Sequence, residues 1–311
     1  MLEINLSSII NLLQSTLRMA TPLIFAALGG VFSERSGVIN IALEGIMLIG
    51  AFAAMLFSHL TGNPWIGVLA AIATGLIISY FHAVASIEFR ANQVVSGTAI
   101  NIFAAGIVVF LLKIIFSADV SPNVKTVREL SIPLIRDIPY LGNLIGKHVP
   151  FVYLAFIFVF LSYWVLWKTS FGLRIRAVGE HPEAADSVGI NVKAIRYSAV
   201  LISGALAGIA GSSLSVGFIG LFEDGVISGR GFIALAAMIF GRWTPQGAMY
   251  AALLFGFAQA LQMLAQTLGI TFIPGSFLLM LPYVLTILAL TGIVGTAKAP
   301  AADGEPYIKE Q

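Results

Sequence analysis

The sequence predicts an all-α polytopic membrane bundle of about eight to ten spanning helices with one short membrane segment, and three observations carry that prediction. Of the 311 residues, 58% are hydrophobic and only 10% are charged, against roughly 25% charged in soluble domains, and the mean hydropathy is +0.95. Apolar runs of about 20 residues, enough for a helix to cross a hydrocarbon core of about 30 Å, recur along the chain. The runs lack period-2 alternation, and backbone groups in lipid must be satisfied within a segment, so the spans are helices and not barrel strands.

The runs fall at residues 9–32, 38–57, 65–87, 94–116, 150–167, 197–219, 247–266 and 275–295. Between 197–219 and 247–266 lies Gly231–Gly241 (GFIALAAMIFG), equally apolar but too short to span, which reads as a half-helix or an obliquely packed piece. Arg18 and Pro22 in the first run predict a kinked helix with a snorkelling arginine. Pro282 is expected to kink the last run, which Pro274 and Gly275 open. The N-terminal MLEINLSSII has no basic region or small-residue cleavage site, so the first helix is expected to be retained. One transmembrane domain over residues 1–297 and a cytoplasmic tail at 298–311 complete the expected organisation.

Lys168, Arg174, Arg176, Lys193 and Arg196 gather in the loop 168–196, which places that loop in the cytoplasm. Counting spans outward puts Arg35, Arg90 and Arg242 on the same side. The stretch 117–149 then lies outside despite Lys125, Arg128, Arg136 and Lys147. Its prolines and mixed polarity predict an ordered external loop that caps the outer mouth.

Several chemistries are excluded. There are no cysteines and the four histidines do not cluster, so thiolate metal sites and disulfides are absent. The net charge of +2 sits beside apolar runs and does not form a nucleic-acid surface. GRGFIA at Gly229–Ala234 mimics a dinucleotide fingerprint but follows no strand, and GNLIGKH at Gly142–His148 is a residue short of a phosphate loop. No catalytic cluster points to an enzyme. SGALAGIAGSS sets Ser203, Ala207 and Gly211, and also Gly204 and Gly208, at the spacing that lets helix backbones approach. His82 reads as a hydrogen-bonded structural residue.

Polar residues within the apolar runs are the candidate functional groups. Ser36, Asn40 and Glu44 would form one stripe if ERSGVINIALEG were helical. A carboxylate at mid-bilayer costs roughly 2.5–3.5 kcal/mol on insertion scales, so Glu44 should face the bundle interior or a wet cavity, or be protonated. In ANQVVSGTAIN, a helical projection gathers Asn92, Gln93, Ser96, Gly97 and Asn101 on one side. Amides suit a route for uncharged, hydrogen-bonding solutes better than one for ions. For both clusters two readings stand: a translocation pathway, or interhelical hydrogen bonds.

The loop FGLRIRAVGEHPEAADSVGINVKAIR is charged and amphipathic. Pro182 is placed to open a short helix through Glu183, Ala184 and Ala185, and Gly189 to end it. Glu183, Ala184, Ala185 and Gly189 resemble the E-A-A-x-x-x-G signature of ATP-binding-cassette importer permeases. The I-x-L-P continuation is missing, since Ala199–Ile202 reads AVLI, which points away from the maltose-type branch. With GVINIALEGIMLIGAFAA, ANQVVSGTAIN and GRGFIALAAMIFGRWTPQGA, the chain from about Arg18 to Gly295 resembles the branched-chain amino acid and ribose type permeases, and within them the nucleoside or simple-sugar permeases.

That resemblance implies a transport subunit, not an enzyme, in a multi-pass arrangement in a bacterial cytoplasmic membrane. It implies a coupling helix at Glu183–Gly189 docked on a separate ATPase, with Arg174 and Arg176 near the same surface or lipid headgroups. ATP and magnesium would sit on that ATPase, and this chain would hold no cofactor. The further implied partners are a second permease subunit, identical or paralogous, and an external solute-binding lipoprotein. Nucleosides are the expected solute, with simple sugars or branched-chain amino acids as the alternative; an ion-coupled secondary transporter is the rival class.

Overall fold

A computed structural model describes residues 6–133, 138, 141–267, 280, 284 and 298–308. The expected span 275–295, with Pro274, Gly275 and Pro282, falls outside these apart from positions 280 and 284. The described helices of six residues or more are α1 (Leu6–Glu34), α2 (Leu43–Thr61), α3 (Pro64–Ala83), α4 (Gln93–Phe116), α5 (Pro150–Lys168), α6 (Ser170–Glu180), α7 (Pro182–Ser187), α8 (Val192–Ser212), α9 (Arg230–Phe240) and α10 (Pro245–Thr267). π-helical turns at Val84–Glu88 and Ser213–Ile219 extend α3 and α8. Seven of these helices are long and apolar enough to cross a membrane: α1, α2, α3, α4, α5, α8 and α10. Strand is confined, among the described residues, to Leu130–Ser131 paired antiparallel with Lys147–His148.

Local chemistry sets the helix ends. Asn63 caps α3 by accepting from the Trp65 N–H, with Pro64 in the first turn where its missing donor costs nothing. Asn92 accepts from the Val94 and Val95 N–H groups to start α4, and Asn191 from Ala194 to start α8. Gly62, at φ 68°, closes α2 in the left-handed conformation.

The small residues of α8 do what their spacing predicted. A Cβ on Gly204 would lie 2.4 Å from the Gly75 carbonyl oxygen on α3, and one on Gly211 would lie 2.0 Å from the Met47 carbonyl oxygen on α2. Gly29 of α1 is equally tight, 2.8 Å from the Ser203 carbonyl oxygen. Helices α1, α2 and α3 therefore reach α8 backbone to backbone, and any larger side chain would push them apart. By contrast, α4 presents Ile102, Phe103, Phe110 and Ile114 outward, an apolar face suited to lipid.

One boundary departs from expectation. The run 38–57 becomes helical only at Leu43, because residues 35–42 form turns and irregular chain. Ser36, Asn40 and Glu44 therefore form no stripe. Arg18 pairs with Glu129 at 2.9 Å. That contact anchors the first part of the stretch after α4, up to residue 133, where Ser121, Val124 and Val127 donate to the carbonyls of Phe222, Gly220 and Val216 at 2.8, 2.8 and 2.9 Å.

Candidate translocation core and coupling loop

The interruption at 38–42 breaks the rule that membrane backbone be satisfied within its own segment, so its polar groups need partners from elsewhere. Side chains of α3 and α4 supply them. Gln93 Oε1 accepts the Ile39 N–H at 2.7 Å, and His82 Nε2 lies 2.9 Å from the Ile39 carbonyl oxygen. A carbonyl only accepts, so Nε2 carries the proton; His82 Nδ1 is then left to accept from Ser96 Oγ, 3.0 Å away. Asn101 bridges the break, donating from Nδ2 to the Ile41 carbonyl at 3.0 Å and accepting the Gly45 N–H on Oδ1 at 2.8 Å. Asn40 Nδ2 donates to Ser203 Oγ at 2.9 Å.

Helix α9 is the predicted half-helix. Its 11 residues rise about 16 Å, half a hydrocarbon core. Its N-terminus meets Glu44, whose Oε1 accepts the Gly229 N–H at 2.8 Å and whose Oε2 accepts the Gly231 N–H at 2.6 Å. A carboxylate there satisfies otherwise orphaned donors and sits at the positive end of the helix dipole. The sequence permits this because Gly231 has no side chain: a Cβ would lie 2.5 Å from the Glu44 backbone.

The six polar residues read from the sequence therefore have these places. Asn40, Glu44, Gln93, Ser96 and Asn101 converge on the 38–45 break and the start of α9, each engaged in hydrogen bonds within the bundle. Asn92 stands apart as the α4 cap; with Ser96 it edges a groove of about 690 Å³ between α3 and α4, walled by Phe81 and Phe103. Two buried polar atoms of the core, Asn40 Oδ1 and Gln93 Nε2, have no hydrogen-bond partner among the described residues. His82 proves structural, as expected, and is central to the clamp.

In the loop after α5, α7 forms as predicted. Pro182 occupies its first turn, and Gly189, at φ 83°, ends it. The Ile190 N–H donates to the Ala185 carbonyl at 3.0 Å and the Gly189 N–H to the Asp186 carbonyl at 2.9 Å, the paired bonds of a Schellman motif. Ala185 is buried, while Glu183, Ala184 and Gly189 are exposed, and Val188 is 74% exposed. Arg174 is exposed. Arg176 stacks on the Trp167 ring at 5.6 Å, as does Arg35 at the same distance, so Arg176 fastens α6 to α5.

Seven apolar spans among the described residues, a half-helix capped by a half-buried carboxylate and an interrupted helix held by amides define a polytopic membrane transport protein. Residues 12–290 match the family described as the branched-chain amino acid transport system / permease component, and the chain belongs to it. It is 49% identical, over 95% of each chain, to the guanosine ABC transporter permease protein NupQ of Bacillus subtilis. It is 43% identical to the nucleoside ABC transporter permease protein NupC of Lactococcus lactis, covering 98% of this chain and all of that one. A second Bacillus subtilis protein, the guanosine ABC transporter permease protein NupP, is 26% identical over 78% of this chain and 70% of its own. The chain is a transport component and not an enzyme.

Proposed function

We propose that this chain is the membrane-spanning permease subunit of an ATP-driven importer of nucleosides, set in a bacterial cytoplasmic membrane. The observation that carries this is the near full-length identity of 49% and 43% to guanosine and nucleoside permease proteins. The loop 168–196 faces the cytoplasm, and α7 docks on an ATPase that holds ATP and magnesium. The exposed Glu183, Ala184, Val188 and Gly189 are the contact surface, and Arg174 extends it. The loop 117–149 faces outward, toward a solute-binding lipoprotein.

A second, different permease subunit completes the pathway. Bacillus subtilis has two guanosine permease proteins, and this chain resembles NupQ far more closely than NupP, so it takes the NupQ place in such a pair. Asn40, Glu44, Gln93, Ser96 and Asn101 form the polar core of this half, with Asn92 at its edge. The unpaired Asn40 Oδ1 and Gln93 Nε2 are free to bond a base or ribose when the core rearranges.

The test is uptake of radiolabelled guanosine, adenosine, cytidine, glucose and leucine into proteoliposomes that carry both permeases, the ATPase and the receptor. ATP-dependent nucleoside uptake is expected, without competition from glucose or leucine. Uptake by this chain alone under an ion gradient would refute the proposal.

A further inference from the structure

Of the expected tail 298–311, the described residues 298–308 are seated in a seam between the end of α1, the turn at 35–37, the end of α6 and the start of α8. The Ala302 N–H donates to the Gly179 carbonyl at 2.9 Å and the Gly304 N–H to the Gly37 carbonyl at 3.3 Å. The Ala301 N–H donates to Glu180 Oε2 at 3.3 Å. From beneath, Arg196 Nη1 donates to the Glu305 carbonyl at 2.9 Å. Arg196 is 1% exposed and Ala302 6%, so the segment is packed as well as bonded.

The contact with α1 is through side chains. Asp303 is hydrogen-bonded to Glu34, and the Trp243 Nε1–H donates to Glu34 Oε2 at 2.6 Å. Glycines make the seam possible. A Cβ on Gly37 would lie 2.9 Å from the Ala302 carbonyl oxygen, and one on Gly179 would lie 2.2 Å from that of Arg35.

This seam bears on α7. A helix of six residues cannot hold its own shape or position, since isolated helices under about 12 residues are marginal. Only Pro182 and Ala185 of α7 are buried, so its orientation is inherited from its flanks. Its N-terminal flank, Gly179–Glu180, is held by the two bonds from Ala301 and Ala302. The segment also lies directly beside α7: His181, Pro182 and Glu183 face Ala301, Ala302 and Pro306 across a cleft of about 190 Å³.

We propose that residues 298–308 are a positioning strap that fixes α7 to the ends of α1 and α8, so that movement received at α7 reaches the spanning helices as a rigid-body displacement. The role in transport rests on the reading of α7 as the ATPase-docking element; the anchoring of α7 does not.

The test compares the wild-type importer, reconstituted with both permeases, ATPase and receptor, with three variants of this chain. One lacks residues 298–311. The second is Gly304→Val, which places a side chain at φ 82° with its Cβ 2.8 Å from Ile39 and loosens the strap without removing it. The third, Gly189→Trp, alters the α7 surface and leaves the strap intact. Amide hydrogen exchange over residues 177–187 and ATP-driven uptake are measured for each.

In both strap variants, exchange is expected to rise at least tenfold and uptake to fall at least tenfold, with the ATPase still co-purifying. Wild-type exchange over 177–187 in either strap variant would overturn the anchoring, and faster exchange with full uptake would overturn the role in transport. If the deleted chain fails to insert, Gly304→Val decides. Normal uptake by Gly189→Trp would instead remove the docking role of α7 and leave the exchange result standing.

Discussion

Replacing Glu44 by alanine removes the acceptor for the Gly229 and Gly231 N–H groups at 2.8 and 2.6 Å. Hydrogen bonds to a charged group contribute about 1.5–3 kcal/mol each, and a buried donor left without a partner costs its desolvation. The expected loss is therefore about 3–6 kcal/mol. At about 2–4 °C per kcal/mol for a large domain, this lowers the Tm by roughly 6 °C or more. Glu44→Gln keeps one oxygen acceptor and should lose about half as much. Gly231→Ala should mimic Glu44→Ala, because its Cβ would displace the carboxylate's own backbone. In the double variant the two losses should not add, since both act on one interaction. Thermal unfolding of the purified chain in lipid nanodiscs, followed by tryptophan fluorescence, gives these values. A Glu44→Ala variant that unfolds within 1 °C of wild type would refute the capping argument. Glu44→Gln with an unchanged Tm but lost uptake would assign the residue to solute contact instead.

Asn101→Leu strands the Ile41 carbonyl and the Gly45 N–H, at about 1–3 kcal/mol for each buried group; the same unfolding assay should show a loss comparable to Glu44→Ala, and a neutral result would mean that water replaces the amide. Gly189→Val has open space around its Cβ but must hold φ at 83°, which costs a branched residue about 1–2 kcal/mol. Membrane insertion should be normal and ATP-driven uptake reduced several-fold; normal uptake would count against docking through α7. The strap should also respond to pH. Burial pushes the Asp303 carboxyl from its ordinary 3.8 up to about 7, against the lowering effect of Arg196 and of its bond to Glu34. The docked form therefore binds more protons than the free form, so docking is strongest in acid and is lost as pH rises through about 7. Amide exchange of residues 301–305, corrected for intrinsic rate, should accelerate as pH rises from about 4 to about 7 and level off above that. Asp303→Asn, which removes the titrating carboxyl, should flatten that dependence.

Hydropathy located the spans because insertion into lipid is decided by composition over one helix length, a local property. The α7 helix was legible for the same reason: Pro182 at its start and Gly189 at its end act within a few residues. The start of α2 was not legible. Residues 38–42 (VINIA) continue the apolar run, and what holds them out of a helix lies far along the chain: Gln93 and His82 for Ile39, and Asn101 for Ile41. The strap was the least legible feature. Asp303 meets Glu34, and Ala302 meets Gly179, through contacts that no periodicity encodes, and an acidic, proline-containing terminus reads as solvated chain.

The polar residues found by the sequence reading divide between holding and passing, and the structure bears on that division. An α-helix carries its own hydrogen bonds wherever it moves, whereas an extended segment depends on side chains of its neighbours. The 38–45 break is tied to α3, α4 and α8 by side-chain bonds worth about 0.5–1.5 kcal/mol each, and α9 is tied to α2 through Glu44. These ties can be exchanged one at a time at a cost well below that of separating two helices packed backbone to backbone, as α8 is with α3 at Gly204. Any rearrangement of the bundle should therefore begin at the break and at the α9 terminus. Asn40 and Gln93, whose Oδ1 and Nε2 at the break have no hydrogen-bond partner among the described residues, are the groups a solute would reach first when it does.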